Sequence, residues 1–308
     1  MIGQLYHKLF SKKFPSATTL KERHVQPMYI INEADRKKYI RDGFVVIKNI
    51  VSDEIIDKIV ETFTAIQKMP GYFESEELQT TIAYGVDAHN LAIETVNSVS
   101  SQIFDSVLDN SKCRYDFGGG IIVKNKGGWF APHQDCSIVD EYKNCTSYAW
   151  IPTVDMTSEN GTFYAIPGSH LWAAWQRSSQ YPSWSLKKFS QFLWNNMQPI
   201  KVNKGDVLLF DSALIHASGE NKTDKIRLAF NMCIIEKEAE HVQYVKDHKT
   251  SKNAIDKYIV DEAYWYSGNL WGRPKGYKKI TEQLVYPTDL TESYLLELIQ
   301  KYNQYQAD

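Results

Sequence analysis

His133-Gln134-Asp135 sets an imidazole and a carboxylate two residues apart. On extended backbone that spacing turns both side chains to one face, where they can ligate a single cation. The pattern is weak alone, since a chain with this His and Asp content yields about half such a triplet by chance. A third ligand should therefore come from a distant strand, and His216, 83 residues downstream in the strand-like Leu214-Ile215-His216-Ala217, has the right type and setting. Two imidazoles and one carboxylate on one side of a metal leave the opposite positions open for a co-substrate and O2. Arg227 follows His216 by eleven residues. If residues 218–225 form a hairpin connection centred on Asn221-Lys222, His216 and Arg227 become paired positions on adjacent antiparallel strands. The guanidinium would then form a bidentate pair with the far carboxylate of 2-oxoglutarate, and Ser218, two residues from His216, would add a hydroxyl donor.

These residues need a rigid scaffold, and the punctuation of the chain predicts a β-rich one. From about 113 to 236, short apolar or alternating runs are separated by Gly, Asn and Asp; examples are 147–151, 162–166, 206–210, 213–217 and 226–235, with Glu159-Asn160-Gly161 as a tight turn. Helices should flank this core. Asn32 caps a short helix ending before Gly43, which opens the strand Phe44, Val45, Val46, Ile47. Ser52 caps a helix carrying Ile55, Ile59, Phe63 and Ile66, and a further amphipathic run carries Ile93, Val96, Ile103 and Val107. The expected organisation is a basic tail over 1–30 and one oxygenase-sized domain over 31–308. Within it lie the core at 113–236, an aromatic insertion at 172–199 with Leu186, Phe189 and Leu193 inward, and a helical, aromatic extension at 237–308.

Bulk composition narrows the partners. A formal charge of -2 offers no basic field for phosphate backbones, so a small molecule is the expected partner rather than nucleic acid. No run approaches the roughly 20 apolar residues of a membrane span, and the first residues lack a leader's apolar core, so a cytoplasmic protein is expected. The cysteines Cys113, Cys136, Cys145 and Cys233 form no Cys-x-x-Cys pair and are expected to stay reduced. Oligomeric state is not legible.

Taken in order, Gly43 to Ile50, His133-Gln134-Asp135, Ala149-Trp150, Asn160-Gly161, Pro167-Gly168-Ser169-His170, Gly205-Asp206, His216 and Arg227 resemble the phytanoyl-CoA dioxygenase family of Fe(II)- and 2-oxoglutarate-dependent oxygenases. The resemblance covers roughly residues 40–236. It implies an all-β core with flanking helices folded as a double-stranded β-helix (a cupin-like jelly roll), iron held by His133, Asp135 and His216, and 2-oxoglutarate held by Arg227 and Ser218 with Trp150 lining its pocket. The family often adds a polar contact from the strand before the triplet. Here that region reads Gly118-Gly119-Gly120-Ile121-Ile122, which leaves the contact unassigned. The implied reaction hydroxylates an unactivated C–H bond with O2, releasing succinate and CO2, and no catalytic side chain is needed beyond the metal site. Asp135 stands where related halogenases carry a small residue, which argues against halogenation.

Other readings compete at each point. His133 and Asp135 could share a structural hydrogen bond, but His216 and Arg227 tip the balance to ligands. His170, in the turn after Pro167-Gly168-Ser169, reads as a loop-fixing residue because the triad is already complete. The expected substrate contacts are Trp172 and Arg177 from the insertion and Tyr266, Trp271 and Arg273 from the extension. Without a Lys/Arg cluster in the insertion for the phosphates of a thioester, an amino-acid-like or specialised metabolite is favoured. Desaturation or oxidative cyclisation by the same oxidant, and a metal-dependent hydrolase or isomerase on a cupin fold, are the alternatives.

Overall fold

The computed structural model describes residues 26–75, 79–178, 186–246, 249–250, 254–266, 272–283 and 290–307. Asn32 opens α1 (Glu33–Asp42) by accepting the Asp35 amide, and Gly43 closes it at φ 84°, its N–H bonded to the Tyr39 carbonyl. The chain turns directly into β1 (Phe44–Ile47). Ser52 accepts the Ile55 amide at 3.4 Å to start α2 (Asp53–Ile66). Ile55, Ile59, Phe63 and Ile66 recur at helical spacing and are buried, each side chain stabilising the fold by roughly 1.5–3 kcal/mol. Next come β2 (Gln79–Thr80), α3 (Val86–Phe104), β3 (Cys113–Lys124), β4 (Phe130–His133), β5 (Thr146–Pro152), β6 (Phe163–Ala165), the short α4 (Ser169–Trp172) and α5 (Ser190–Asn195). The core closes with β7 (Gln198–Ile200), β8 (Val207–Asp211), β9 (His216–Ser218) and β10 (Arg227–Glu236). Beyond it lie β11 (Val242–Val245), β12 (Ala254–Ile259), α6 (Glu262–Tyr266), β13 (Lys278–Gln283) and α7 (Glu292–Ala307).

Two antiparallel sheets make the scaffold: a six-stranded one in the order β1-β8-β5-β10-β3-β2 and a four-stranded one in the order β4-β9-β6-β7. Strand alternation assigns their faces. On β10, Leu228, Phe230, Met232 and Ile234 pack with α2 and α3, while Ala229, Cys233 and Ile235 join Trp150, Phe163 and Phe210 between the sheets. The outer side of the small sheet is covered by Trp172, Trp175, Leu193 and Leu295, which brings α5 and α7 against it. This is the expected jelly roll with flanking helices.

Two expectations are corrected. His216 and Arg227 are not partners across a hairpin: β9 pairs with β4 and β6, whereas β10 pairs with β3 and β5. Residues 219–226 instead carry the chain from one sheet to the other. Asn221 secures that crossing, its side-chain amide donating to the Lys124 and Lys225 carbonyls at 3.0 and 2.8 Å. The region after 237 is likewise not only helical, because β11, β12 and β13 form a third sheet. Its pattern was hidden by buried charge: Lys257 pairs with Asp140 and Glu282, and Asp256 with Arg273, so β12 buries residues that read as exposed.

Gly168 ties α7 to the site side of the fold. At φ +76° an added Cβ would lie 2.1 Å from the Tyr302 ring, and the Tyr302 hydroxyl donates to Asp42 at 2.6 Å. Gly168→Ala is therefore expected to cost about 3 kcal/mol, read as a lower urea midpoint with unchanged slope.

Candidate metal and co-substrate site

β4 and β9 lie side by side, with His133 directly opposite His216. The His133 and His216 Nδ1 atoms lie 2.9 Å from the carbonyls of Ala131 and Leu214. A carbonyl only accepts, so each Nδ1 carries the proton and each Nε2 lone pair is free for a metal. Asp135 follows the end of β4 and turns its carboxylate into the gap, with Oδ1 and Oδ2 each 3.9 Å from one Nε2. At that distance the groups face one another without bonding. One ligand atom from each of the three residues lies within 4.8 Å of the others, so the donor set could hold a metal ion. Burial and the neighbouring His216 hold the His133 imidazole well below its usual range, keeping it neutral as a ligand must be. Rings fix both imidazoles: Phe163 stacks on His216 at 5.1 Å, and Phe130 stands edge-on to His133 at 4.2 Å. Gln134 points the other way, donating to the Ala173 and Ala213 carbonyls from full burial.

The second half of the site comes from the larger sheet. Arg227 is 2 % exposed, stands over the Trp150 ring at 5.6 Å, and reaches Ser218 Oγ at 3.3 Å through one amino nitrogen. Its Nε and other amino nitrogen are buried without a partner. Opposite it in register sits Lys124, fully buried, donating to Ser218 Oγ and to the Gly219 carbonyl. Among the described residues neither cation has a carboxylate partner. Burial, and then the charge of Arg227, push the Lys124 amine down to about 6, and burial pulls Arg227 down to about 9. A buried guanidinium with two orphaned N–H groups, beside a hydroxyl and a buried amine, has the donors to take a carboxylate. Lys124 was missed in the sequence. Its signal was the two-residue period from Gly120 through Ile122, which carries the inward face of β3 on to Lys124.

Of the expected substrate contacts, the described ones point elsewhere. Trp172 is 2 % exposed in the core beneath α5 and α7. Arg177 is buried in an ion pair with Glu141 at 2.5 Å. Arg273 is held by Asp256, Tyr258 and Thr250 in the third sheet. Short polar partners nearby had captured each cation, which a linear sequence does not reveal. Trp271 and the Tyr266 side chain lie outside the described residues. His170 fixes a loop as expected: it is fully buried, its Nε2 3.1 Å from the Ile40 carbonyl.

The profile of the phytanoyl-CoA dioxygenase family matches residues 39–229. The chain belongs to the phytanoyl-CoA dioxygenase family. Within this family of non-haem iron, 2-oxoglutarate-dependent oxygenases, it is similar to phytanoyl-CoA dioxygenase domain-containing protein 1 of Rattus norvegicus, at 33% identity over 118 residues. That match spans 36% of this chain and only 40% of the rat protein. Similarity to the peroxisomal phytanoyl-CoA dioxygenase of Bos taurus is lower, 24% over 264 residues, but covers 75% of this chain and 76% of that one. In fold, the chain resembles the crystal structure of the epimerase SnoN in complex with Fe3+, alpha ketoglutarate and nogalamycin RO, with a TM-score of 0.50 at 18% identity over 68% of this chain and 85% of that one. Among the described residues no helix is long and apolar enough to cross a membrane.

Proposed function

We propose that the protein oxidises an unactivated C–H bond of a small molecule, with His133, Asp135 and His216 holding Fe(II) and with Arg227, Lys124 and Ser218 holding the far carboxylate of 2-oxoglutarate. The observation that carries this reading is the coexistence, on opposite sides of the sandwich, of three facing but unbonded groups able to ligate a metal and a buried Arg227 with two unpartnered N–H groups beside Lys124. Iron bound there with 2-oxoglutarate would supply activation of O2, the oxidant: one oxygen atom would enter the substrate and the other succinate, as 2-oxoglutarate loses CO2 and gives up two electrons. The side chains do the rest. Arg227 and Ser218 orient the co-substrate, Trp150 covers it, and Phe163, Phe210 and Phe130 keep the imidazoles fixed and exclude water from their flanks. Zinc hydrolysis or isomerisation would use the same triad but gives no role to the buried Arg227 and Lys124.

Hydroxylation is the reading for the product, on an amino-acid-like or specialised metabolite. Both buried cations of the pocket serve the co-substrate. What remains on the same face of β10 is the uncharged Asn231, opposite Gly120 and Trp150. That lining suits a neutral polar group better than a thioester's phosphates. The test screens phytanoyl-CoA against free amino acids and polyketide- or sugar-type metabolites, reading succinate and product mass. We expect a gain of one oxygen on a member of the second group. Loss of two hydrogens would instead mean desaturation or ring closure, and turnover of phytanoyl-CoA alone would overturn the substrate reading.

A further inference from the structure

Asp135 is the one member of the triad that no strand holds, since β4 stops at His133. Two backbone hydrogen bonds fix it instead. Its N–H donates to the Ser212 carbonyl at 3.1 Å, and its own carbonyl accepts from Arg177 Nε at 2.6 Å. The same guanidinium donates to the Trp175 carbonyl at 2.8 Å, to Glu141 at 2.5 Å and to Ser212 Oγ at 3.1 Å. Ser212 Oγ in turn donates to Glu141 at 2.6 Å. Ser212 thus touches the Asp135 segment through its carbonyl and the Arg177-Glu141 pair through its hydroxyl, which closes a loop around the residue. Two residues on, the Ser137 amide donates to the Arg177 carbonyl and the Arg177 amide to Ser137 Oγ, docking the segment on its other side. Arg177 and Glu141 are 1% and 6% exposed, so water competes little for these bonds.

We infer that Arg177, with Glu141 and Ser212, is a positioning clamp that sets where the Asp135 carboxylate stands between the two imidazoles, and so sets metal affinity without touching the metal. The inference rests on the triad being a metal site. A planar guanidinium suits the task because its donors diverge in fixed directions, reaching a backbone carbonyl, a carboxylate and a hydroxyl at once. A lysine at 177 keeps the charge facing Glu141 but cannot hold all three. Outer partners of this kind are worth roughly 10–100-fold in metal affinity.

The experiment titrates Fe(II) anaerobically into wild type, Arg177→Lys and Ser212→Ala at saturating 2-oxoglutarate and follows the visible charge-transfer band, with the melting temperature of each apoprotein measured alongside. In Arg177→Lys the apparent Kd for Fe(II) should rise about 10-fold or more and the band maximum should shift, while the 2-oxoglutarate concentration needed at saturating Fe(II) stays unchanged because Arg227 is intact. Ser212→Ala, which removes no charge, should move the Fe(II) affinity the same way by less, and it decides the matter if Arg177→Lys does not fold. Wild-type Fe(II) affinity and an unshifted band in the folded variants would overturn the clamp alone. Absence of any band in metal-loaded wild type would overturn the metal-site reading and the clamp with it.

Discussion

Asp135→Ala is expected to abolish the Fe(II)·2-oxoglutarate charge-transfer band and to lower turnover by at least ~10³-fold, equivalent to about 4 kcal/mol of transition-state stabilisation. The reasoning begins from the donor set. His133 and His216 contribute neutral nitrogens, so Asp135 is the only anion among the three groups that converge within 4.8 Å. Removing it strips both a ligand atom and the charge that offsets a divalent cation in a poorly hydrated cleft. The fold should survive, because Asp135 is tied to its surroundings through its backbone and not through its carboxylate. Anaerobic absorption with a melting curve on the same sample checks both halves. A folded variant that keeps the band would remove Asp135 from the ligand set.

The second large effect belongs to the cation pair. Arg227→Met should raise the 2-oxoglutarate requirement about 10- to 100-fold, the range for losing charge-assisted hydrogen bonds of about 1.5–3 kcal/mol, with Fe(II) binding alone nearly unchanged. Lys124 adds a pH signature. Its amine is pushed down to about 6 in the protein and titrates near 10.4 in an unfolded chain, so between these values the folded state holds fewer protons. The sign follows from linkage. Lys124 weakens the apoprotein most below its folded value, and that penalty fades as pH rises toward the unfolded value. A carboxylate entering beside the amine favours its charged form, so 2-oxoglutarate binding should take up close to one proton at pH 8 and weaken as pH rises further. Calorimetry in buffers of different ionisation heat measures the uptake; it should vanish in Lys124→Met, and uptake persisting there would assign the proton elsewhere.

Much of this site could be read from spacing. The convergence of His133, Asp135 and His216 was legible because close spacing and one distant imidazole suffice to suggest it, although Asp135 lies beyond the end of β4, and the caps at Asn32 and Ser52 were legible because capping is local chemistry. Arg227 and Ser218 were placed beside one another correctly, but by a mistaken pairing. A short polar stretch such as 219–226 looks the same whether it turns back within a sheet or crosses to the opposite one, and only the folded pairings of β9 and β10, with Asn221 bonded to Lys124 and Lys225, distinguish the two. The three expected substrate contacts that fall on described residues were found in other surroundings for a related reason. Arg177, Arg273 and Trp172 carry chemistry by type, yet Glu141, Asp256 and the packing of α5 and α7 lie far away in sequence or are visible only after folding. Lys124 escaped notice because nothing local in the sequence separates a buried lysine at the end of an apolar run from a solvated one.

That crossing has one more implication. Because the imidazoles belong to one layer and the guanidinium to the other, the span between them is a gap of the sandwich, about 10 Å between packed sheets in general, and not a length of chain. Trp150, Phe163 and Phe210 fill that gap. On the proposed reading they would act as the spacer of a caliper: the width at which these rings pack would set how long a diacid can bridge the two jaws, so selection for a five-carbon oxoacid would lie in the hydrophobic core as much as in the residues proposed to grip its ends.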